Sequence, residues 1–149
     1  MNLCWSNGTD PHFVELTREL DAFLAEQNGC SQPAFSPYNA VDESTEAVIV
    51  YDGVTPVACG ALRLHDLTTG EIKRMYVRPL YRHNGLATQV LAALEIRAAE
   101  MGCENLVLET NPKFTSAVAL YRRLGFQTIE PYGPYRTLCS LCLGKAIQR

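Results

Sequence analysis

The sequence has no apolar run of membrane-spanning length, and its opening, Met1 to Asp10, lacks the basic start and apolar core of a signal peptide. No membrane partner is therefore expected, and the expected location is the cytoplasm. Basic residues are also scarce. Thirteen Lys and Arg stand against sixteen Asp and Glu, a net charge of -3, which argues against nucleic acid as the main partner. No G-x-G-x-x-G or Walker pattern follows any strand-like segment, which removes the common nucleotide-binding classes. Of six cysteines, only Cys139 and Cys142 form a close pair, and no second pair completes a zinc site. On a strand, residues three apart point to opposite faces, so this C-x-x-C is not expected to bind metal or cycle redox. Cys4, Cys30, Cys59 and Cys103 read as small hydrophobes or free thiols. There is no linker, repeat or low-complexity stretch, and residues 1–149 are expected to form one domain.

An apolar content of 47% over 149 residues is enough for a core that needs neither disulfides nor metal. Residues 2–5 suggest a short strand. Asp10-Pro11 then supplies an N-cap and a proline at the first helical position. Phe13, Leu16, Leu20, Phe23 and Leu24 recur at helical spacing until Asn28-Gly29. Residues 31–43 have no steady period and read as a loop with room for a helical turn. Three strands are expected next, at 46–51, 55–64 and 71–77, joined by the Asp52-Gly53 hairpin and a turn at 67–70. After a loop at 79–84, Leu86, Val90, Leu91, Leu94 and Ala98 line one face of a helix that stops at Gly102. A strand at 105–109, a helix at 115–124 and closing strands at 127–129 and 137–143 complete the chain. The crossover from 71–77 to 105–109 requires a parallel pair inside an otherwise antiparallel sheet.

The chemistry concentrates in EIKRMYVRPLYRHNGLATQVL, residues 71–91. A strand runs into a short loop, and the loop runs directly into a helix. Free N–H groups and the positive dipole end at that helix start form an anion site without any basic side chain. Gly85 lets backbone approach a phosphate closely, and Ala87 keeps the first turn slim. Alone, R-x-x-G-x-A is a weak pattern that a plain loop-to-helix connection also explains.

Three segments in order, KRMYVRPLYRHNGLA, LVLET and AVALYRRLGF, resemble the GNAT acetyltransferase superfamily. The closing EPYGPY, followed by a strand with Cys142, is similar to small bacterial members. The resemblance implies a mixed α/β fold, with a mostly antiparallel central sheet flanked by helices, and acetyl-CoA as co-substrate. It implies that the backbone of Met75 and Val77 bonds the pantetheine arm. His83, Asn84, Gly85, Leu86 and Ala87 would hold the pyrophosphate through their N–H groups, with Thr88, and Arg82 would add charge. Tyr121 would protonate the departing thiolate, and Glu71 would accept the amine proton, often through water. At one place the pattern departs: relatives carry asparagine where this chain has Phe114, and Asn111 is the nearby amide that would substitute.

These roles make chemical sense. A protonated amine has no lone pair, so a base must act before attack on the thioester. A backbone N–H such as that of Met75 can stabilise the developing oxyanion. Because Cys59, Cys103 and Cys142 have no recognisable Cys-His setting, direct attack within a ternary complex is expected. The acceptor is expected to be a small amine, bordered by Tyr38, Asn39, Arg63, Tyr132 and Tyr135. His12, His65, Lys113, Arg122 and Arg123 read as surface residues. The competing reading is a non-catalytic acyl-CoA-binding or regulatory module with the same fold, against which Glu71 and Tyr121 count. A homodimer is compatible with either.

Overall fold

The computed structural model describes residues 1–27, 41–137 and 140–147. Asp10 caps the first helix as expected: its Oδ1 accepts the N–H of His12 at 2.9 Å and of Phe13 at 3.4 Å. That helix, α1 (Pro11–Gln27), follows β1 (Asn2–Asn7). A meander of β2 (Glu46–Asp52), β3 (Thr55–Asp66) and β4 (Thr69–Val77) comes next. The second half contains α2 (Leu86–Glu100), β5 (Asn105–Thr110), α3 (Thr115–Arg123), β6 (Gln127–Thr128) and β7 (Leu141–Ala146). Tyr38, Asn39, Cys30 and Cys139, as well as most of the expected 31–43 loop, lie outside the described residues.

The seven strands form one sheet in the order β1-β2-β3-β4-β5-β7-β6. Among the described residues only β4 and β5 pair in parallel, as the crossover through α2 requires. Alternation along β2 divides the core between the two faces. Val48 and Val50 join Leu86, Val90, Leu94 and Tyr121 beneath α2 and α3. Ala47 and Ile49 join Phe13 and Leu16 beneath α1.

Charged clamps hold α1 against β4. Arg78 makes a forked contact to Glu19, Nε to Oε1 at 3.0 Å and Nη2 to Oε2 at 2.6 Å. This pairing holds the Glu19 carboxyl below its ordinary range. Arg74, almost fully buried, pairs with Asp21 at 2.7 Å and donates to the Thr17 carbonyl at 2.9 Å.

The closing strand differs from expectation. It runs over Leu141–Ala146 rather than starting at Thr137, because Gly133–Thr137 winds into a 3-10 turn. Gly133 has φ 52°, and the Tyr135 N–H bonds the Tyr132 carbonyl at 3.1 Å. Tyr132, Tyr135, Ile129 and Cys142 pack as a small apolar cluster, which draws the segment onto the sheet instead of extending it. Cys142 itself lies buried in β7.

Candidate active site

Two irregularities in β4 create the site. The antiparallel register with β3 passes from Ala61↔Lys73 to Cys59↔Tyr76, so Arg74 and Met75 together oppose Gly60 as a β-bulge. Arg74 adopts φ 58° there, a left-handed conformation uncommon for its residue type. Gly60 is required opposite it: a Cβ would sit 2.6 Å from Val90 Cγ1 and 2.7 Å from Met75 Sδ. On the other side, pairing with β5 ends at Ile72↔Leu108. Among the described residues no strand pairs with 73–77 on that side, and the sheet splays open.

The opening is a cleft of about 660 Å³, walled by β4, the ends of β5 and α1, and one side of α3. Met75 and Val77 line one wall. The Val77 carbonyl accepts a hydrogen bond from Arg82 Nε at 3.0 Å. At one end the cleft meets the loop before α2, where Arg82, His83, Gly85, Leu86, Ala87 and Thr88 border it. His83 and Gly85 both have positive φ, 66° and 76°. The first α-helical bond runs from the Gln89 N–H to the Gly85 carbonyl, leaving the N–H groups of the preceding turn without helical partners. A Cβ on Gly85 would meet nothing within 4 Å, so this is open cradle rather than packed turn. Asn84 does not border the cleft. Its amide braces the loop by donating to the Tyr81 and Arg82 carbonyls, each at 3.2 Å.

Tyr121 lies on the α3 wall and is 7% exposed, with its ring edge-on to Phe126. Burial, assisted by the charge of Glu109, pushes its phenol up to about 12. It is thus a protonated hydroxyl at any working pH. Phe114, where an asparagine was expected, stacks with Phe23 of α1 at 5.7 Å between centroids. Arg82 lies over the Phe23 ring, 5.5 Å from its centroid. Asn111 also borders the cleft, and its Oδ1 accepts the Lys113 N–H at 2.9 Å. Lys113 and Arg123, read from sequence as solvated, stand at the cleft border, whereas Arg122 turns to Thr128 Oγ1 at 2.9 Å.

A buried polar cluster occupies the opposite face of the splay. Glu71 is 7% exposed; its Oε2 accepts the Tyr132 hydroxyl at 2.9 Å and its Oε1 lies 3.8 Å from Lys73 Nζ. Lys73 also donates to the Tyr135 hydroxyl at 3.2 Å. Burial lowers the Lys73 ammonium from its ordinary value, a trend that the Glu71 charge opposes. Burial raises the Tyr132 and Tyr135 phenols, and Glu71 raises them further. Glu71 therefore sits behind Tyr132, while Lys73 and Glu109 reach the cleft wall. Burial pushes the Glu109 carboxyl up to about 7, with Lys73 pulling against that and Glu71 adding to it.

Residues 13–126 match the family model described as acetyltransferase (GNAT) family. The chain belongs to the acetyltransferase (GNAT) family. A curated relative, the IAA acetyltransferase of Azospirillum brasilense, is 34% identical over 129 residues, covering 82% of this chain and 81% of its own. A Klebsiella pneumoniae crystal structure assigned as an acyl-CoA N-acyltransferase superposes with TM-score 0.82 at 30% identity, covering 99% of this chain and 97% of the other. An aminoglycoside 6'-N-acetyltransferase solved with coenzyme A shares the fold, with TM-score 0.72 at 16% identity over 100% and 98% of the two chains.

Of the residues singled out from this GNAT sequence, Met75, Val77, Arg82, His83, Gly85, Leu86, Ala87, Thr88, Asn111 and Tyr121 converge on one cleft. Asn84 and Glu71 stand just behind its walls. Sequence reasoning missed Glu109 as an individual residue, although LVLET was part of the resemblance. The signal was available: on a strand whose Leu106 and Leu108 face the core, the odd-numbered positions face the other way, and Glu109 is one of them. Among the described residues no group of acids, histidines and cysteines is arranged to hold a metal, and no helix is long and apolar enough to cross a membrane.

Proposed function

We propose that the chain transfers an acetyl group from acetyl-CoA to the primary amine of a small molecule, by direct attack within a ternary complex. The observation that carries this reading is continuity. The unpaired edge of β4, the open cradle at Gly85 and the buried Tyr121 hydroxyl all border a single cleft. An extended amide-bearing chain fits an unpaired strand edge, and a pyrophosphate fits the N–H groups of a helix start. When bound, acetyl-CoA supplies the thioester carbon that the amine attacks.

The protein's own groups divide the remaining work. Gly85, Leu86, Ala87 and Thr88 hold the anionic end, with Arg82 and His83 alongside. Met75 and Val77 align the arm along β4, and the bulge at Arg74–Met75 turns backbone toward the place where negative charge develops. Tyr121, a protonated phenol at the cleft wall, gives its proton to the leaving sulfur. A carboxylate beside the cleft provides the base. Cysteine chemistry does not fit: Cys59 is fully buried with its thiol pushed up to about 12, mainly by burial, and Cys142 is buried with its thiol raised for the same reason. The acceptor approaches beside Arg63, Tyr132 and Tyr135, which stand on the same face as Glu71.

The test is thiol release from acetyl-CoA with kanamycin, spermidine, benzylamine and L-glutamate as probe acceptors. The expected result is amine-dependent release with at least one of them. Acetyl-CoA binding without release from any amine would support the non-catalytic module instead.

A further inference from the structure

Where β4 and β5 part, each strand offers one ionisable side chain to the cleft, Lys73 from β4 and Glu109 from β5. Glu71, two residues before Lys73, is screened by Tyr132 and Lys73. We infer that Glu109 is the group that takes the proton from the acceptor amine, and that Glu71 acts through Lys73 and Tyr132 as a positioning residue. This rests on the transferase reading above and goes beyond it by assigning the base.

Three observations support the assignment. Glu109 lines the same cleft as Tyr121, so an acid and a base border one cavity; Glu71 does not line it. Among the described residues no hydrogen bond or ion pair occupies the Glu109 carboxylate, whereas Glu71 already accepts one from Tyr132. Finally, the surroundings keep Glu109 a competent base. Lys73 and Glu71 face it from β4, Tyr121 from α3, Cys142 from β7 and Tyr135 from the turn before β7. Burial is the largest influence and raises its pKa to about 7, near the value at which a carboxylate both accepts and releases a proton in neutral solution. Lys73 opposes that shift and Glu71 reinforces it, so the two neighbours set the value between them.

The step balances as follows. The ammonium gives one proton to Glu109, which passes it to solvent. The freed nitrogen pair forms the N–C bond at the thioester carbon, and the C–S bond breaks with its electron pair on sulfur. Tyr121 protonates that sulfur, and the second nitrogen proton, lost as the amide forms, restores the phenol. One proton is released overall.

Two readouts test this. In protein labelled with carboxyl-13C glutamate, the resonance missing from Glu109→Gln should titrate near pH 7 without any ligand; a midpoint below 5 would overturn the inference. In thiol-release assays with the probe amines, wild-type kcat should fall on the acidic side of that midpoint. Glu109→Gln should lose the limb and about 10²–10⁴-fold of kcat, with acetyl-CoA affinity retained in calorimetry. Wild-type kcat with an intact acidic limb in Glu109→Gln removes the base role, and so does a rate loss accompanied by lost acetyl-CoA affinity. Glu71→Gln separates positioning from catalysis. Removing its charge should move the limb to lower pH and cost far less kcat above pH 8 than Glu109→Gln does, whereas a 10²-fold loss there would make Glu71 the base. If wild type releases no thiol with any probe amine, the transferase reading itself falls, an outcome distinct from failure of Glu109 alone.

Discussion

The Tyr132 hydroxyl donates to Glu71 Oε2 across 2.9 Å, tying the turn before β7 to the middle of β4. This bond fixes the side of the splay away from α3, since Tyr132 also packs edge-on to Tyr135 and His65. Tyr132→Phe keeps the ring and removes the donor from a buried carboxylate. Urea unfolding at pH 7 should show a loss of about 1.5–3 kcal/mol, the usual range for a hydrogen bond to a charged group. Unchanged stability would mean that water replaces the phenol and that the turn is held by packing alone.

Gly60 sets the shape of the bulge opposite it. A methyl group there meets Val90, Met75 and Leu94 at 2.6–3.0 Å, all of them side-chain atoms, so they must shift. Gly60→Ala is expected to destabilise by about 1–3 kcal/mol, as overpacked cores do, and to weaken acetyl-CoA binding by moving Met75. Measuring melting temperature and affinity together checks both. A protein with unaltered affinity would show that the bulge tolerates repacking without affecting the cleft.

Tyr121→Phe separates chemistry from packing. The ring contact with Phe126 stays, so the melting temperature should hold within a few degrees. Thiol release should fall by roughly 10²–10⁴-fold, the range of a lost general acid. Equal turnover in the two proteins would return Tyr121 to the core as an ordinary aromatic.

Much of this architecture was legible in the residues. The meander announced itself through β-branched runs and Asp52-Gly53, and the N-cap at Asp10 and the helix start at Gly85 are where local chemistry demands them. What escaped was long-range. Pro134 and the tyrosines of EPYGPY read as a lead-in to a strand, but Tyr135 is 3% exposed because it packs across the sheet against Cys142 and Lys73. Phe114 looked like a missing amide; its partner, Phe23, lies 91 residues earlier, and no local pattern links them. Lys113 and Arg123 resembled a solvated face because the cleft they border exists only once β4 and β5 diverge. Glu109 was hidden for the same reason. Its character depends on burial between strands and on two charges from β4, neither of which strand periodicity records.

The claim on which all of this depends is that acetyl-CoA lies along the unpaired edge of β4 with its pyrophosphate on the loop at Gly85. Calorimetric titration of acetyl-CoA into wild type, Gly85→Ala and Gly85→Glu tests it directly. Both variants bear the same left-handed backbone penalty of about 1–2 kcal/mol, and in neither does the Cβ meet a neighbour within 4 Å. Only Gly85→Glu brings a carboxylate to the phosphate site. The account predicts a modest loss of affinity for Gly85→Ala and a loss at least a hundredfold larger for Gly85→Glu in a protein that melts like Gly85→Ala. Equal acetyl-CoA affinity in a folded Gly85→Glu protein would place the cofactor elsewhere and contradict the account.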